Sequence, residues 1–167
     1  AEDYALFGKE LQQALFDLPR GFRGYPVSWV PGRNGVLEIE AFYKKYLAVS
    51  DVPQTIGQWL HIPAHHLAVA ANGEVFCDQL GKFSAIRKEL QKGYPEDIRK
   101  KLLAGHCMNI AQSGQYNYPR VLSRGDKSAA ALTEAEFIRN ICAAVYLLNN
   151  RYAPFYKWMV HGLGTLP

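Results

Sequence analysis

The chain has 167 residues, 49% of them hydrophobic and 20% charged, which excludes a disordered tail and is enough for one domain with its own core. The net charge of +4 is spread thinly. Its densest basic stretch, Arg99-Lys100-Lys101, is too short for a nucleic-acid-binding stripe, although a polyanionic substrate such as a nucleotide stays compatible.

Residues 2 to 17 predict a first helix, with Asp3 as cap and Leu6, Phe7, Leu11, Ala14 and Leu15 on one face. Leu18-Pro19-Arg20-Gly21 ends it. The stretch from Gly21 to Gly35 reads as a long irregular connection, extended at 27–30, and its Phe22, Tyr25 and Trp29 would be wasted on a plain solvent loop. A second helix is expected over 38–48, with Phe42, Tyr46 and Leu47 inward. Asp51-Val52-Pro53 starts a short helix to about Leu60. Pro63 starts another to Ala71, closed by Asn72-Gly73. Residues 74–78 read as a small strand or a turn, and 83–91 as a helix stopped by Gly93.

Tyr94-Pro95-Glu96-Asp97 carries a helix start, with Pro early and acids in the first turn. That helix runs through Ile98, Leu102, Leu103, Cys107, Ile110 and Ala111, and Pro119 should end or kink it near Tyr118. The longest apolar helix is expected over 127–152, capped by Asp126 and stopped before Pro154. Ala130, Leu132, Phe137, Ile138, Ile141, Ala144, Val145, Leu148 and Tyr152 recur on it at helical spacing, with Ile141 and Val145 expected at full burial. A short last helix carries Phe155, Trp158 and Met159. The expected fold is all-α: a multi-helix bundle around the 127–152 helix, with at most a minor strand element. Cys77, Cys107 and Cys142 show no CxxC spacing and read as buried free thiols of a reducing compartment. That compartment reading makes a cytoplasmic location the expectation, and no apolar run reaches transmembrane length.

Chemistry-bearing clusters are few. His61 and His65 are four apart, but Pro63 lies between them and no third ligand sits nearby, so no metal is expected. Arg99 and His106 are seven apart on one helix face, as in a helical ribonuclease with an acid–base His and a phosphate-steadying Arg. Glu134 and Glu136 are carboxylates that could act as a base in a cleft, or simply pair with Arg139. There is no P-loop, dinucleotide fingerprint or nucleophile elbow.

Three stretches together carry a resemblance: Gly-Glu-Val-Phe-Cys-Asp-Gln-Leu-Gly (73–81), Gly-Gln-Tyr-Asn-Tyr-Pro-Arg-Val-Leu-Ser-Arg-Gly-Asp (114–126) and Tyr-Leu-Leu-Asn-Asn-Arg-Tyr-Ala-Pro-Phe-Tyr-Lys-Trp (146–158). From about Asn34 to Leu163 the chain resembles a bacterial domain of unknown function found C-terminal to a polymerase-beta-like nucleotidyltransferase domain. The resemblance implies a helical acceptor-binding or lid domain. Its partner in cis would be that catalytic domain, holding Mg²⁺ and a nucleoside triphosphate on paired Asp residues, and its ligand an unidentified small-molecule acceptor. This chain lacks the Gly-Ser turn and the Asp pair, so it should be inactive alone, with 1–36 as the connection to the catalytic half and 37–167 as the helical core. Tyr116, Tyr118, Arg120, Arg124, Asn149, Arg151, Tyr152, Tyr156, Lys157 and Trp158 match the motifs, and their polar-aromatic character suits cleft lining. The alternatives are a stand-alone interaction or dimerisation module, forming a homodimer through the Gly21 to Val30 loop, and the ribonuclease on Arg99 and His106.

Overall fold

The computed structural model describes residues 2–26 and 35–167. The extended piece expected at 27–30 and Trp29 lie outside the described residues. Nine α-helices are present among the described residues: α1 (Glu2–Phe16), α2 (Ile39–Leu47), α3 (Ile56–His61), α4 (Ala64–Ala71), α5 (Lys82–Leu90), α6 (Glu96–Ile110), α7 (Tyr118–Ser123), α8 (Lys127–Leu148) and α9 (Tyr156–Leu163). A π-helical segment, Ala111–Asn117, joins α6 to α7. Among the described residues the strand content is one two-residue antiparallel ladder, β1 (Gly21–Phe22) with β2 (Tyr25–Pro26), where Gly21 pairs with Pro26. The fold is all-α. No helix among the described residues is long and apolar enough to cross a membrane.

The core is aromatic and lies where α2 to α5, the start of α6 and the end of α8 meet. Tyr43, Leu47, Leu67 and Leu90 are its most buried members. Trp59, Tyr94 and Tyr152 form a chain of tilted and edge-on rings with centroids 5.8 Å and 4.8 Å apart. Buried tyrosines need partners for their hydroxyls. Tyr43 donates to the Phe83 carbonyl at 3.0 Å and Tyr152 to the Leu90 carbonyl at 2.8 Å.

Burial pushes the Tyr43 phenol up to about 12 and the Tyr94 and Tyr152 phenols further still. In the unfolded chain these groups ionise near pH 10. A raised folded value keeps the neutral form favoured, so the stabilisation is complete below about pH 10 and is lost as pH rises through the folded values. Unfolding should therefore begin within that alkaline window, with a late block of tyrosinate absorbance appearing together with the loss of helical circular dichroism. If all tyrosines titrate in one ordinary step while the helices persist, the aromatic core is wrong.

Several boundaries differ from expectation. Asp3 lies in the first turn of α1 rather than before it. The apolar face of α1 stays exposed at Leu6, Phe7 and Leu11. Helix α3 starts at Ile56, with Thr55 as its cap, not at Asp51-Val52-Pro53. There a capping box has formed, in which the Thr55 hydroxyl accepts from the Gln58 N–H and the Gln58 side chain accepts from the Thr55 N–H. Residues 74–78 form no strand. Before Pro119 the α-helical run of α6 stops at Ile110 and passes into the π segment, Tyr118 keeps helical dihedrals, φ −55° and ψ −50°, and Pro119 falls in the first turn of α7. The π register accounts for this. The Tyr118 N–H reaches back five residues to the Ser113 carbonyl, and the widened turn makes room for the proline ring that an α-helix would crowd.

Helix α8 begins as expected, with Asp126 accepting from the Ala129 N–H at 2.9 Å, but ends at Leu148 instead of Tyr152. Its buried face also differs. Ala130, Asn140, Cys142, Ala143, Ala144, Tyr146 and Leu147 are buried, Ile141 and Val145 are half-buried, and Leu132 and Leu148 are 75% and 63% exposed. Small residues turn inward because α6 lies along α8 in the most extensive helix contact of the described fold, and Ala143 and Ala144 permit close approach. Cys142 is buried, whereas Cys77 and Cys107 are exposed, contrary to the expectation for all three.

Candidate functional site

The end of α8 is set by its cap. Asn150 adopts a left-handed φ of +52°, the Arg151 N–H bonds the Tyr146 carbonyl at 2.8 Å and the Asn150 N–H bonds the Leu147 carbonyl at 3.1 Å. This is a Schellman turn with Asn in the place Gly usually takes. It sends Tyr152 into the core and leaves Arg151 at the surface. After Pro154 the chain turns back and α9 packs on α8, held by the Tyr146 hydroxyl donating to the Met159 carbonyl at 2.9 Å.

Between α9, the α8 cap, α4 and α5 lies a cleft of about 830 Å³. His65, Arg87, Arg151, Tyr152, Phe155 and Trp158 are among its lining residues, and no carboxylate side chain lines it among the described residues. Arg87 is committed to the Gly73 carbonyl and Gln91 to the Ala71 carbonyl, which together close the end of α4. The Arg151 side chain makes no hydrogen bond or ion pair among the described residues, so its charge is available to a ligand. His65 meets the Phe155 ring edge-on at 5.3 Å, and burial, followed by the neighbouring His66, lowers its pKa, which favours a neutral imidazole. The cleft therefore offers one unpaired guanidinium, a neutral imidazole and aromatic walls. That combination suits an anionic group joined to a planar or apolar body.

The motif residues divide. Arg151, Tyr152 and Trp158 line this cleft. Asn149 is spent on the Val145 carbonyl at 2.8 Å, and Tyr156 and Lys157 are exposed outside it, the Lys157 ammonium 5.5 Å from the Trp158 ring. The 116–124 segment sits at the other end of α8, one helix length of roughly 33 Å away. There the Arg120 guanidinium covers the Tyr116 ring at 4.5 Å and Arg124 is exposed at the end of α7. Tyr118 and Glu134 line a separate groove of about 560 Å³ with Cys107 and Phe137. Gly114 makes that groove's floor possible, since a Cβ there would lie 2.4 Å from the Phe137 ring.

Glu136 is held by Arg139 in a two-pronged pair, with contacts of 2.7 and 2.8 Å to one guanidinium nitrogen, and by Asn140. Arg139 and then Asn140 are the main causes of its lowered pKa. Arg99 is paired with Glu96 at 2.8 Å and also donates to the Leu147 carbonyl, so it closes a helix end rather than waiting for a phosphate. Of the neighbouring histidines, His65 and His66 meet edge-on at 4.6 Å, but His61 bonds the Gly57 carbonyl and His66 the Tyr46 carbonyl. No group of three His, Cys, Asp or Glu that could hold a metal occurs among the described residues. Arg87, Gln91 and His161 line the cleft without having been singled out in the sequence, where each reads as an ordinary polar position on a short helix.

An all-α domain with a cationic aromatic cleft is the class that fold and site define. A family model described as "Domain of unknown function (DUF4037)" matches residues 59–159, and the chain belongs to that family. Comparison with curated proteins and with solved structures yields no match.

Proposed function

We propose that this chain is the helical, acceptor-binding and lid domain of a bacterial, cytoplasmic nucleotidyltransferase, and that its 830 Å³ cleft receives the phosphate-bearing part of a substrate. The observation that carries this reading is that Arg151, which has no partner among the described residues, lines the same cleft as Trp158, and that no carboxylate side chain of the described residues lines it. Family membership over 59–159, together with the resemblance that places such domains after a polymerase-beta-like catalytic domain, supports the same reading. So does the exposed Leu6, Phe7 and Leu11 face of α1, the kind of apolar surface a neighbouring domain covers. Mg²⁺ and the nucleoside triphosphate belong to the catalytic half, because two-metal phosphoryl transfer needs paired acidic ligands.

Two measurements test this. Supplied with Mg²⁺ and each nucleoside triphosphate, the 167-residue chain should release no pyrophosphate. Adenosine monophosphate titrated into it should shift the Trp158 indole resonance, and Arg151→Ala should weaken that response about tenfold with the melting temperature unchanged. Robust pyrophosphate release would overturn the domain assignment. A nucleotide response confined to the 116–124 patch would move the site to the other end of α8.

A further inference from the structure

A third cavity, of about 210 Å³, lies between α3, α6 and α8. Trp59, Tyr94, Leu102, Ala143, Leu147 and His106 are among its walls. It is mostly apolar, yet two of its lining residues, Tyr94 and His106, each carry a polar atom that has no partner among the described residues. The Tyr94 hydroxyl makes no hydrogen bond among the described residues, although the residue is only 8% exposed. His106 uses one ring nitrogen, and the other has no partner among the described residues.

Which nitrogen of His106 carries the proton follows from its neighbours. Asn140 is 1% exposed. Its Nδ2 donates to both the Glu136 backbone carbonyl and the Glu136 carboxylate at 2.8 Å, groups that can only accept. The amide orientation is therefore fixed, and Asn140 Oδ1 faces His106 Nδ1 at 2.8 Å. That oxygen also accepts from Asn109 Nδ2 at 3.4 Å. Nδ1 must donate, so the neutral imidazole offers Nε2 as an acceptor. Arg139 in turn holds the Glu136 carboxylate that anchors Asn140. A chain of four polar side chains runs inward from the exposed Arg139 and the partly exposed Glu136, through the buried Asn140, to His106. What it does here is hold one imidazole in one tautomer on the wall of an apolar cavity.

We propose that this cavity binds a small single-ring or short-chain molecule through one hydroxyl, which donates to His106 Nε2 and accepts from the Tyr94 O–H. An apolar cavity of about 150 Å³ is enough for benzene, so about 210 Å³ admits one substituted ring. The site is separate from the α9 cleft and does not depend on the proposed function.

Phenol and toluene, titrated separately into the full chain, provide the test, with the His106 imidazole nitrogen resonances as readout. Phenol should bind saturably and shift the Nε2 resonance, whereas toluene should bind without moving it. His106→Leu should weaken phenol about tenfold while leaving toluene within about twofold, and Ala143→Leu should fill the cavity and remove both. The wild-type nitrogen shift decides the matter even if a variant fails to fold. Phenol saturation with an unmoved Nε2, equal losses for phenol and toluene in His106→Leu, or no saturable binding of either compound would each overturn the proposal.

Discussion

Replacing Gly93 by Ala should destabilise the domain by about 2–4 kcal/mol, a large effect for one methyl group. Gly93 has φ +85°, a left-handed conformation that costs any residue with a Cβ. Space is the second obstacle. A Cβ at this position would lie 2.3 Å from Asn150 Oδ1, and Asn150 cannot retreat freely, because its Nδ2 donates to the Lys92 carbonyl at 2.7 Å and its backbone forms the α8 cap. The contact thus ties the turn after α5 to the turn after α8, which is the wall of the cleft. Chemical denaturation of Gly93→Ala alone and combined with Asn150→Gly separates the two causes. In the Asn150→Gly background the cost should fall to roughly the conformational part, about 1–2 kcal/mol. A Gly93→Ala variant as stable as wild type, or a cost untouched by Asn150→Gly, would remove this contact from the account.

The helices were legible because their signals are local. Pro95 followed by Glu96 and Asp97 marks the start of α6, Asp126 caps α8, and Asn72-Gly73 closes α4. What failed needed information from other elements. Helix α8 is apolar on most of its surface, so periodicity alone could not choose between the Ile141 and Val145 side and the Ala143, Ala144 and Leu147 side; the packing of α6 decided it. Pro119 signals a helix end or kink by α-helical rules, and the π register that joins α6 to α7 there depends on a wider turn that residue spacing does not announce. Asn149-Asn150 read as helix because Asn is tolerated there, but Asn also enters the left-handed region readily enough to end one.

The candidate site was half legible for the same reason. Arg151, Tyr152 and Trp158 stand close in the sequence and meet in one cleft because α9 turns back after Pro154. Arg87, Gln91 and His65 reach it from helices far earlier in the chain, and no spacing rule connects them to Arg151. The Arg99 and His106 pair shows the opposite error. Seven-residue spacing puts both on one side of α6, yet each takes its partner from α8 or its own helix: Leu147 and Glu96 for Arg99, Asn140 for His106.

Tyr152→Ala should cost about 3–5 kcal/mol, the range for emptying an aromatic site in a core. Tyr152→Phe should cost only about 1 kcal/mol, one neutral hydrogen bond. The ring accounts for most of the difference: it is 9% exposed, meets Tyr94 edge-on at 4.8 Å and belongs to the main apolar cluster. The hydroxyl contributes less because its acceptor, the Leu90 carbonyl, also accepts the Gly93 N–H at 3.0 Å and is not orphaned when the phenol is lost. The pair of variants also separates packing from ligand contact, since Tyr152 lines the cleft beside Arg151. Phe keeps the ring, so the nucleotide response at Trp158 should persist in Tyr152→Phe if the hydroxyl serves the fold. Loss of that response at unchanged stability would instead make the hydroxyl a ligand contact. Tyr152→Phe should also delay the alkaline loss of structure, because one phenol that must ionise against burial has been removed. Urea midpoints, measured with unchanged denaturant dependence, check the first two values. If Ala costs no more than Phe, the Tyr152 ring does not join α5 to the end of α8, and the cleft between them must be held by other contacts.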